Sequence, residues 1–256
     1  VVFISNVVPG DVVDVQTFKK RKAYYEGKAV KFHELSEHRV DPICEHFGVC
    51  GGCKWQNMKY SQQLFFKHNE VKNHLQRIGK IELPDFEPIL GSEKQFFYRN
   101  KMEFSFSNSR WLTEAEIGSS EELDNKNALG FHIPKMWDKI LDINKCHLQE
   151  DPSNAIRNEV REFANANGLT FFNPRAHEGL LRTLMLRTAS TGEIMVLIQF
   201  FEDDQANREL LLDHLYAKFP QITSLQYVIN NKANDTLYDT NIQLYKGRDY
   251  ILEEME

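Results

Sequence analysis

The sequence predicts an α+β chain, with a small N-terminal β-barrel followed by a mixed α/β domain. Three observations carry this reading. Short β-branched runs crowd residues 1–41. A Gly- and Cys-rich stretch, 42–59, then precedes a helical periodicity over 61–78. Beyond residue 96, strand patterns surround two helical stripes.

In the first part, Val12-Val13-Asp14-Val15-Gln16 follows the turn signal Pro9-Gly10-Asp11. Gly27 to Phe32 reads as the next strand, and Lys19-Lys20-Arg21-Lys22 falls between the two. Strands joined by a basic loop fit a small barrel. Residues 16–40 hold seven Lys or Arg against three Glu, inside a chain whose net charge is −6. A protein that binds nucleic acid over its whole surface is usually basic, so a nucleic-acid role here requires a local patch.

Over 61–78, Leu64, His68, Val71, Leu75 and Ile78 recur at three- and four-residue spacing, and Gly79 is a stop signal. Pro84 to Ser92 reads as a connection. Phe96 to Ser107 alternates aromatic and polar residues, as a half-buried strand does. The acidic stretch 113–127 reads as a loop. Residues 129–133 and 139–143 read as a hairpin leading to Cys146. Asp151-Pro152-Ser153 opens a helix whose buried side is marked by Ala155, Ile156, Val160 and Phe163. Leu180–Thr188 and Glu193–Phe201 read as paired strands. Residues 205–217 read as a helix with Leu210, Leu211, His214 and Leu215 in its stripe. Leu225–Asn230 and Ile242–Tyr245 complete the strands.

With 256 residues, 41% hydrophobic and 27% charged, the chain can build a real core, which excludes disorder, collagen and coiled coil as whole-chain descriptions. The longest apolar run, Ile194 to Ile198, falls far short of the roughly 20 residues of a membrane helix. No signal-peptide pattern is visible, which sets the expected location as cytoplasmic. The first residue is not Met and the last lies in Ile251-Leu252-Glu253-Glu254-Met255-Glu256. Both ends are therefore expected to be cut, with the barrel truncated at its N-terminus.

The chemistry-bearing motif is Cys44-x5-Cys50-x2-Cys53, with a fourth cysteine, Cys146, far along the chain. A C-x2-C pair lets two thiolates face one metal, and Gly51 and Gly52 permit a tight loop. Disulfides are disfavoured without a secretion signal. Spacing alone leaves zinc and an iron–sulfur cluster open.

The residues then show a resemblance. Cys44-x5-Cys50-Gly51-Gly52-Cys53-x2-Gln56, followed by Tyr60-x2-Gln63-x3-Lys67, resembles the iron–sulfur signature of the RNA uridine-C5 methyltransferases of the RumA/TrmA type. So do Phe97-Tyr98-Arg99-Asn100-Lys101, Gly130-Phe131-His132 and Asn144-Lys145-Cys146-His147-Leu148-Gln149. The weaker matches are Pro9-Gly10-Asp11-x-Val13, Leu181-Arg182-x4-Arg187 and Tyr245-x-Gly247-x2-Tyr250-Ile251. The resemblance spans essentially the whole chain.

It implies a TRAM-type, OB-like barrel over 1–41 and a central iron–sulfur and RNA-binding domain over 42–256. It implies a [4Fe–4S] cluster on Cys44, Cys50, Cys53 and Cys146. Helix 61–78 would pack on a methyltransferase domain, and leave an apolar face able to self-associate where that domain is absent. That domain would bind S-adenosylmethionine and carry the cysteine that attacks C6 of the uridine before C5 takes the methyl group. This chain departs from the full pattern there. Its later glycines are isolated, so no Gly-rich loop can approach a nucleoside cofactor. All four cysteines belong to the cluster motif, so no catalytic or cofactor-binding residue is assigned, and the chain alone is expected to be inactive. RNA is the expected partner, with 23S ribosomal RNA ahead of transfer RNA and no membrane. The expected phosphate contacts are Lys19, Lys20, Arg21, Lys22, Arg99 and Lys101. The alternative is a non-enzymatic RNA-binding module with a structural zinc site on the four cysteines.

Overall fold

A computed structural model describes residues 1–117 and 125–255. The acidic 113–127 stretch falls partly on 118–124, outside the described residues. The chain divides into two compact units, 1–48 with 52–95 and 49–51 with 96–256.

In the first unit, β1 (Val2–Ser5), β2 (Val12–Lys20) and β3 (Tyr25–Glu34) form a three-stranded sheet in the order β1-β3-β2. β2 and β3 are antiparallel, and β1 runs parallel to β3. Lys19 and Lys20 end β2 rather than lying in the loop, which holds Arg21 and Lys22. An ionised carboxylate anchors this sheet. Asp11 accepts from the Val8 and Ser36 amides at 2.6 and 2.9 Å, and from Arg39 Nε and Nη2 at 2.8 and 2.7 Å. Its side chain is 1% exposed. The turn signal thus becomes a knot between the β1–β2 turn and the segment after β3. Gly10 fits that knot with a φ of +100°, and a side chain there would meet Ser36 Oγ at 2.9 Å.

α1 (Tyr60–Asn73) continues into a π-helical turn, His74–Ile78. Gln63 Nε2 donates to the Trp55 and Met58 carbonyls, both at 2.9 Å, and Lys67 lies over the Trp55 ring. The Ser92 amide donates to the Tyr60 hydroxyl at 2.7 Å, and His68 meets Phe86 edge-on. No side chain of α1 is fully buried, and Phe65, Val71 and Ile78 are exposed.

The second unit is a seven-stranded sheet in the order β10-β9-β8-β7-β4-β5-β6. Its strands are β4 (Lys101–Ser107), β5 (Ala128–Ile133), β6 (Met136–Asp142), β7 (Leu181–Thr188), β8 (Ile194–Phe200), β9 (Ile222–Ile229) and β10 (Gln243–Gly247). A short α2 (Glu114–Ile117) lies within the stretch read as loop. α3 (Ser153–Ala166) links β6 to β7, and α4 (Gln205–Lys218) links the parallel neighbours β8 and β9. All other pairs of this sheet are antiparallel.

The core lies between the helices and the sheet. Met102, Phe104 and Phe106 of β4, Leu184 and Leu186 of β7, and Val196 and Ile198 of β8 are buried with Ile156, Val160 and Ala164 of α3 and Leu211, Leu212 and Leu215 of α4. Period-2 strands bury alternate residues, which produces the β4 stripe.

Three sequence readings need correction. Strand β4 starts at Lys101, not Phe96, because Phe97 takes a φ of +56° and the Phe97 and Arg99 amides bond the carbonyls of His147 and Leu148. On α3, Ala155 is exposed and Phe163 half-buried, while the polar Asn154 and Arg157 are buried. On α4, Leu210 is exposed, His214 is half-buried, and Arg208 and Leu212 join the buried side. In both helices internal hydrogen bonds or ion pairs let polar side chains occupy core-facing positions.

The Asp11–Arg39 knot makes the first unit acid-sensitive. The Arg39 guanidinium holds the Asp11 carboxyl down, to about 2 from its usual 3.8. A depressed carboxylate pKa contributes stability that is complete above the unfolded-state value and is lost as pH falls through the folded one. We expect the first unit to lose about 2 kcal/mol between pH 4 and pH 2. Asp11→Asn removes that pH dependence and destabilises at neutral pH. Thermal unfolding across this range checks both outcomes.

Candidate metal and RNA site

Of the four cysteines, Cys44, Cys50 and Cys53 are half-buried and Cys146 is buried. Cys146 follows β6 and is buried. Its amide donates to Asn154 Oδ1 at 2.8 Å, and Asn154 Nδ2 donates back to the Cys146 carbonyl at 3.1 Å. Asn154 lies in the first turn of α3. One side chain therefore fixes both backbone groups of the cysteine to the start of a core helix. Phe97 runs alongside, its amide bonded to the His147 carbonyl at 2.8 Å and its ring near the His147 ring. The resemblance motifs at 97–101 and 144–149 are thus spatial neighbours.

One helical turn beyond Asn154 lies Arg157, fully buried. Its Nε donates to the Ile143 carbonyl at 3.1 Å, and Nη2 to the Asn144 carbonyl at 2.7 Å and Asn158 Oδ1 at 3.3 Å. Its guanidinium lies over the Phe104 ring at 4.9 Å. Burial lowers its pKa to about 10, and the nearby Cys146 thiol pulls the other way. Its Nη1 is buried without a hydrogen-bond partner among the described residues.

Cys50 belongs to the same unit through residues 49–51. Gly51 sits against the β5–β6 turn, where a side-chain carbon would come within 3.2 Å of Pro134 Cγ. Cys44 and Cys53 lie in the first unit. All four cysteines are thiols. Among the described residues, no three or more His, Cys, Asp or Glu side chains form a group that could hold a metal ion.

The cations named from the sequence are all on the surface. Lys19 and Arg21 pair with Glu26 at 4.0 and 3.4 Å, and Lys20 lies over the Tyr25 ring. Lys22, Arg99 and Lys101 are exposed, and Lys101 pairs with Glu103 at 3.9 Å. Exposed pairs of this kind hold weakly and leave the cations able to exchange partners. Lys19 to Lys22 form one group in the first unit, and Arg99 and Lys101 another in the second.

Sequence reasoning missed two features. One is Arg157, whose only signal in the sequence is its place beside Ile156 and three residues before Val160 on the buried side of α3. The other is a cleft of about 210 Å³ in the second unit, lined by Ser105, His132, Trp137, Asp138, Arg182 and Thr183 among others. Trp137 is 62% exposed there. Arg175 holds its position by donating to Asp138 at 2.7 Å while lying near the indole. An exposed tryptophan in a short hairpin was the available signal.

No helix of the described residues is long and apolar enough to cross a membrane. No family model matches the chain. It is 53% identical, over its whole length, to a Bacteroides thetaiotaomicron protein described as an uncharacterized RNA methyltransferase, and covers 57% of it. A Porphyromonas gingivalis protein with the same description is 49% identical, again over the whole chain and 56% of the relative. Among solved structures, the Pyrococcus abyssi tRNA (uracil-54, C5)-methyltransferase in complex with S-adenosyl-L-homocysteine matches 99% of this chain and 52% of that one. The TM-score is 0.65 and the identity 25%. The chain thus spans little more than half the length of the curated relatives it matches.

Losing the Asn154 lock should loosen Cys146. Asn154→Ala takes from a buried amide and carbonyl the partner that Asn154 supplies and is expected to cost about 1–3 kcal/mol. Denaturant unfolding of the purified chain measures this directly, and an unchanged midpoint refutes the assignment.

Proposed function

We propose that this chain is the RNA-binding and metal-thiolate part of a longer enzyme that methylates C5 of a uridine in RNA. The single observation that carries this reading is whole-chain similarity, at 53% and 49% identity, to proteins described as RNA methyltransferases. The solved neighbour acts on a uracil C5 and binds S-adenosyl-L-homocysteine, which supports the finer reaction. Ribosomal RNA is the substrate expected from the motif resemblance. The neighbour's own tRNA substrate makes tRNA the competing outcome. S-adenosylmethionine is assigned to the rest of the longer protein, because the residues here do not fit it: the glycines after Gly52 stand apart, with no loop that could admit a nucleotide.

The metal group is a [4Fe–4S] cluster on Cys44, Cys50, Cys53 and Cys146. Two observations fit an anionic thiolate centre. The donors are four cysteines, and a buried guanidinium with an unpartnered N–H lies under the electrostatic influence of Cys146. Residues 1–41 are read as a TRAM-type barrel, to which the three-stranded sheet belongs. The exposed side of α1 is read as the surface that meets the methyltransferase domain, since no α1 side chain is fully buried within the chain.

RNA contact is assigned to Lys19, Lys20, Arg21, Lys22, Arg99 and Lys101, with Trp137 as a stacking face. These two kinds of contact differ measurably. Replacing Lys19 and Lys20 with Ala is expected to weaken RNA binding across sequences and to lower the salt slope by about one per lost phosphate contact. Trp137→Ala should weaken single-stranded binding by about 1–3 kcal/mol with an unchanged slope.

Anaerobic purification followed by iron, sulfide and zinc analysis tests the metal. Iron and sulfide at about four each per chain support the cluster. One zinc per chain supports the zinc-bound four-cysteine module instead. Methylation assays of the full-length protein on ribosomal and transfer RNA transcripts, read by which RNA gains a C5-methyluridine, test the activity and its substrate.

A further inference from the structure

Arg157 is an expensive residue to bury. A guanidinium carries a full charge at any ordinary pH and five N–H donors. Moving such a charge out of water costs several kcal/mol unless an opposite charge and complete hydrogen bonding offset it. Here three of its bonds go to neutral oxygens, those of Ile143, Asn144 and Asn158. No carboxylate bonds it among the described residues. Asp142, the acid that acts on it most, instead accepts from Arg161 Nη1 at 2.7 Å and from the Leu129 amide at 2.9 Å. Asp142 and Asp151 act on Arg157 only at longer range, and Arg161 opposes them. Nη1 is left without a partner. The side chain is therefore a buried cation with both N–H donors of Nη1 unused and no bonded anion.

Of the groups that act on it electrostatically, Cys146 is the largest favourable one. Both groups are held from the same helix. Asn154 fixes the cysteine backbone, and Arg157 follows one turn later on the same face. A single thiolate supplies one negative charge. A centre of four thiolates around a metal keeps a net negative charge, which a buried guanidinium would offset.

We propose that Arg157 is the buried counter-cation of an anionic metal–thiolate centre at Cys146, and that its charge determines how firmly the metal is retained. It is a positioning residue that acts through Cys146. The inference rests on the metal reading given under Proposed function, but not on whether the metal is an iron–sulfur cluster or zinc.

The test uses metal-loaded protein in competition with EDTA. Arg157→Met removes the charge and keeps much of the side-chain volume. Asn158→Asp leaves Arg157 in place and sets a carboxylate beside its Nη2, neutralising it from a half-buried helix position that should tolerate the change. Asn158→Ala is the control that removes the same hydrogen bond without adding charge. Arg157→Lys restores a cation. Retention is expected to fall about 10- to 100-fold in Arg157→Met and Asn158→Asp, the usual cost of losing a partner behind a metal ligand. It should stay near wild type in Asn158→Ala and recover in part in Arg157→Lys. Where iron and sulfide are bound, the midpoint potential should move to lower values in the same two variants, because removing a nearby positive charge disfavours the reduced centre.

Thermal unfolding of the metal-free variants separates loss of charge from loss of fold. If Arg157→Met does not fold, Asn158→Asp alone decides. Asn158→Asp retaining metal as wild type does overturns the proposal, as does an equal loss in Asn158→Ala. If the wild type binds zinc, the iron–sulfur reading fails while the EDTA comparison still decides the role of Arg157. If the wild type binds no metal, both fail together.

Discussion

The Arg157 guanidinium sits where α3 meets its sheet, and three parts of the second unit converge on it. Its bonds reach the carbonyls of Ile143 and Asn144, just past β6. Its flat face covers Phe104 at the middle of β4. Its helix carries Asn154, which holds Cys146. The Arg157 bonds add to those that the carbonyls leaving β6 accept from Arg161 Nη1 at 3.3 Å and Asn158 Nδ2 at 3.0 Å, and they join the Arg161–Asp142 pair in linking α3 to the sheet. The apolar stripe of Ile156, Val160 and Ala164 supplies most of the burial, but such a stripe tolerates sliding. Directional hydrogen bonds to two successive carbonyls do not. The polar residues set the position of the helix and the apolar ones hold it there.

The first unit uses the same device at lower cost. Asp11 and Arg39 form a paired and fully bonded cluster, so the buried carboxylate stays ionised and fixes a turn. The contrast with Arg157 is informative. Asp11 has a bonded counter-charge and Arg157 has none. One unit encloses a neutralised pair, and the other a net cation beside a thiol. A structural role alone accounts for the first but leaves the charge of the second unexplained.

Much of this fold was legible. The alternation of Met102, Phe104 and Phe106 gave the buried face of β4, and Gly79 marked an end that the structure keeps, just past Ile78. The motif residues Tyr60, Gln63 and Lys67 proved to hold α1 to its flanks, a role visible only once Trp55, Met58 and Ser92 were beside them. The misreadings of the helix faces share one cause. Periodicity counts a polar residue as exposed, and so assigned Ala155 to the core of α3 in preference to Asn154 and Arg157. That equation fails when a side chain finds its partners inside the protein. The candidate residues could be named by type but not by place: the four cysteines stand out by spacing, whereas the Asn154 lock and the Arg157 charge depend on contacts between segments with no shared pattern.

The two units also differ in how their helices are stabilised. A 14-residue helix is marginal by itself in water, and most of its stability in a protein comes from packing one face. α3 meets that requirement with six buried side chains. α1, of equal length, buries none fully and is held by side-chain bonds at its start and by partial contacts along one side. Phe65 and Val71 then face solvent on a helix whose hydrogen bonds secure only its first turns. Apolar residues kept in that state lower solubility without adding to the stability of the unit that carries them. They are explained if their packing partner lies outside these 256 residues, in a protein whose relatives are nearly twice as long.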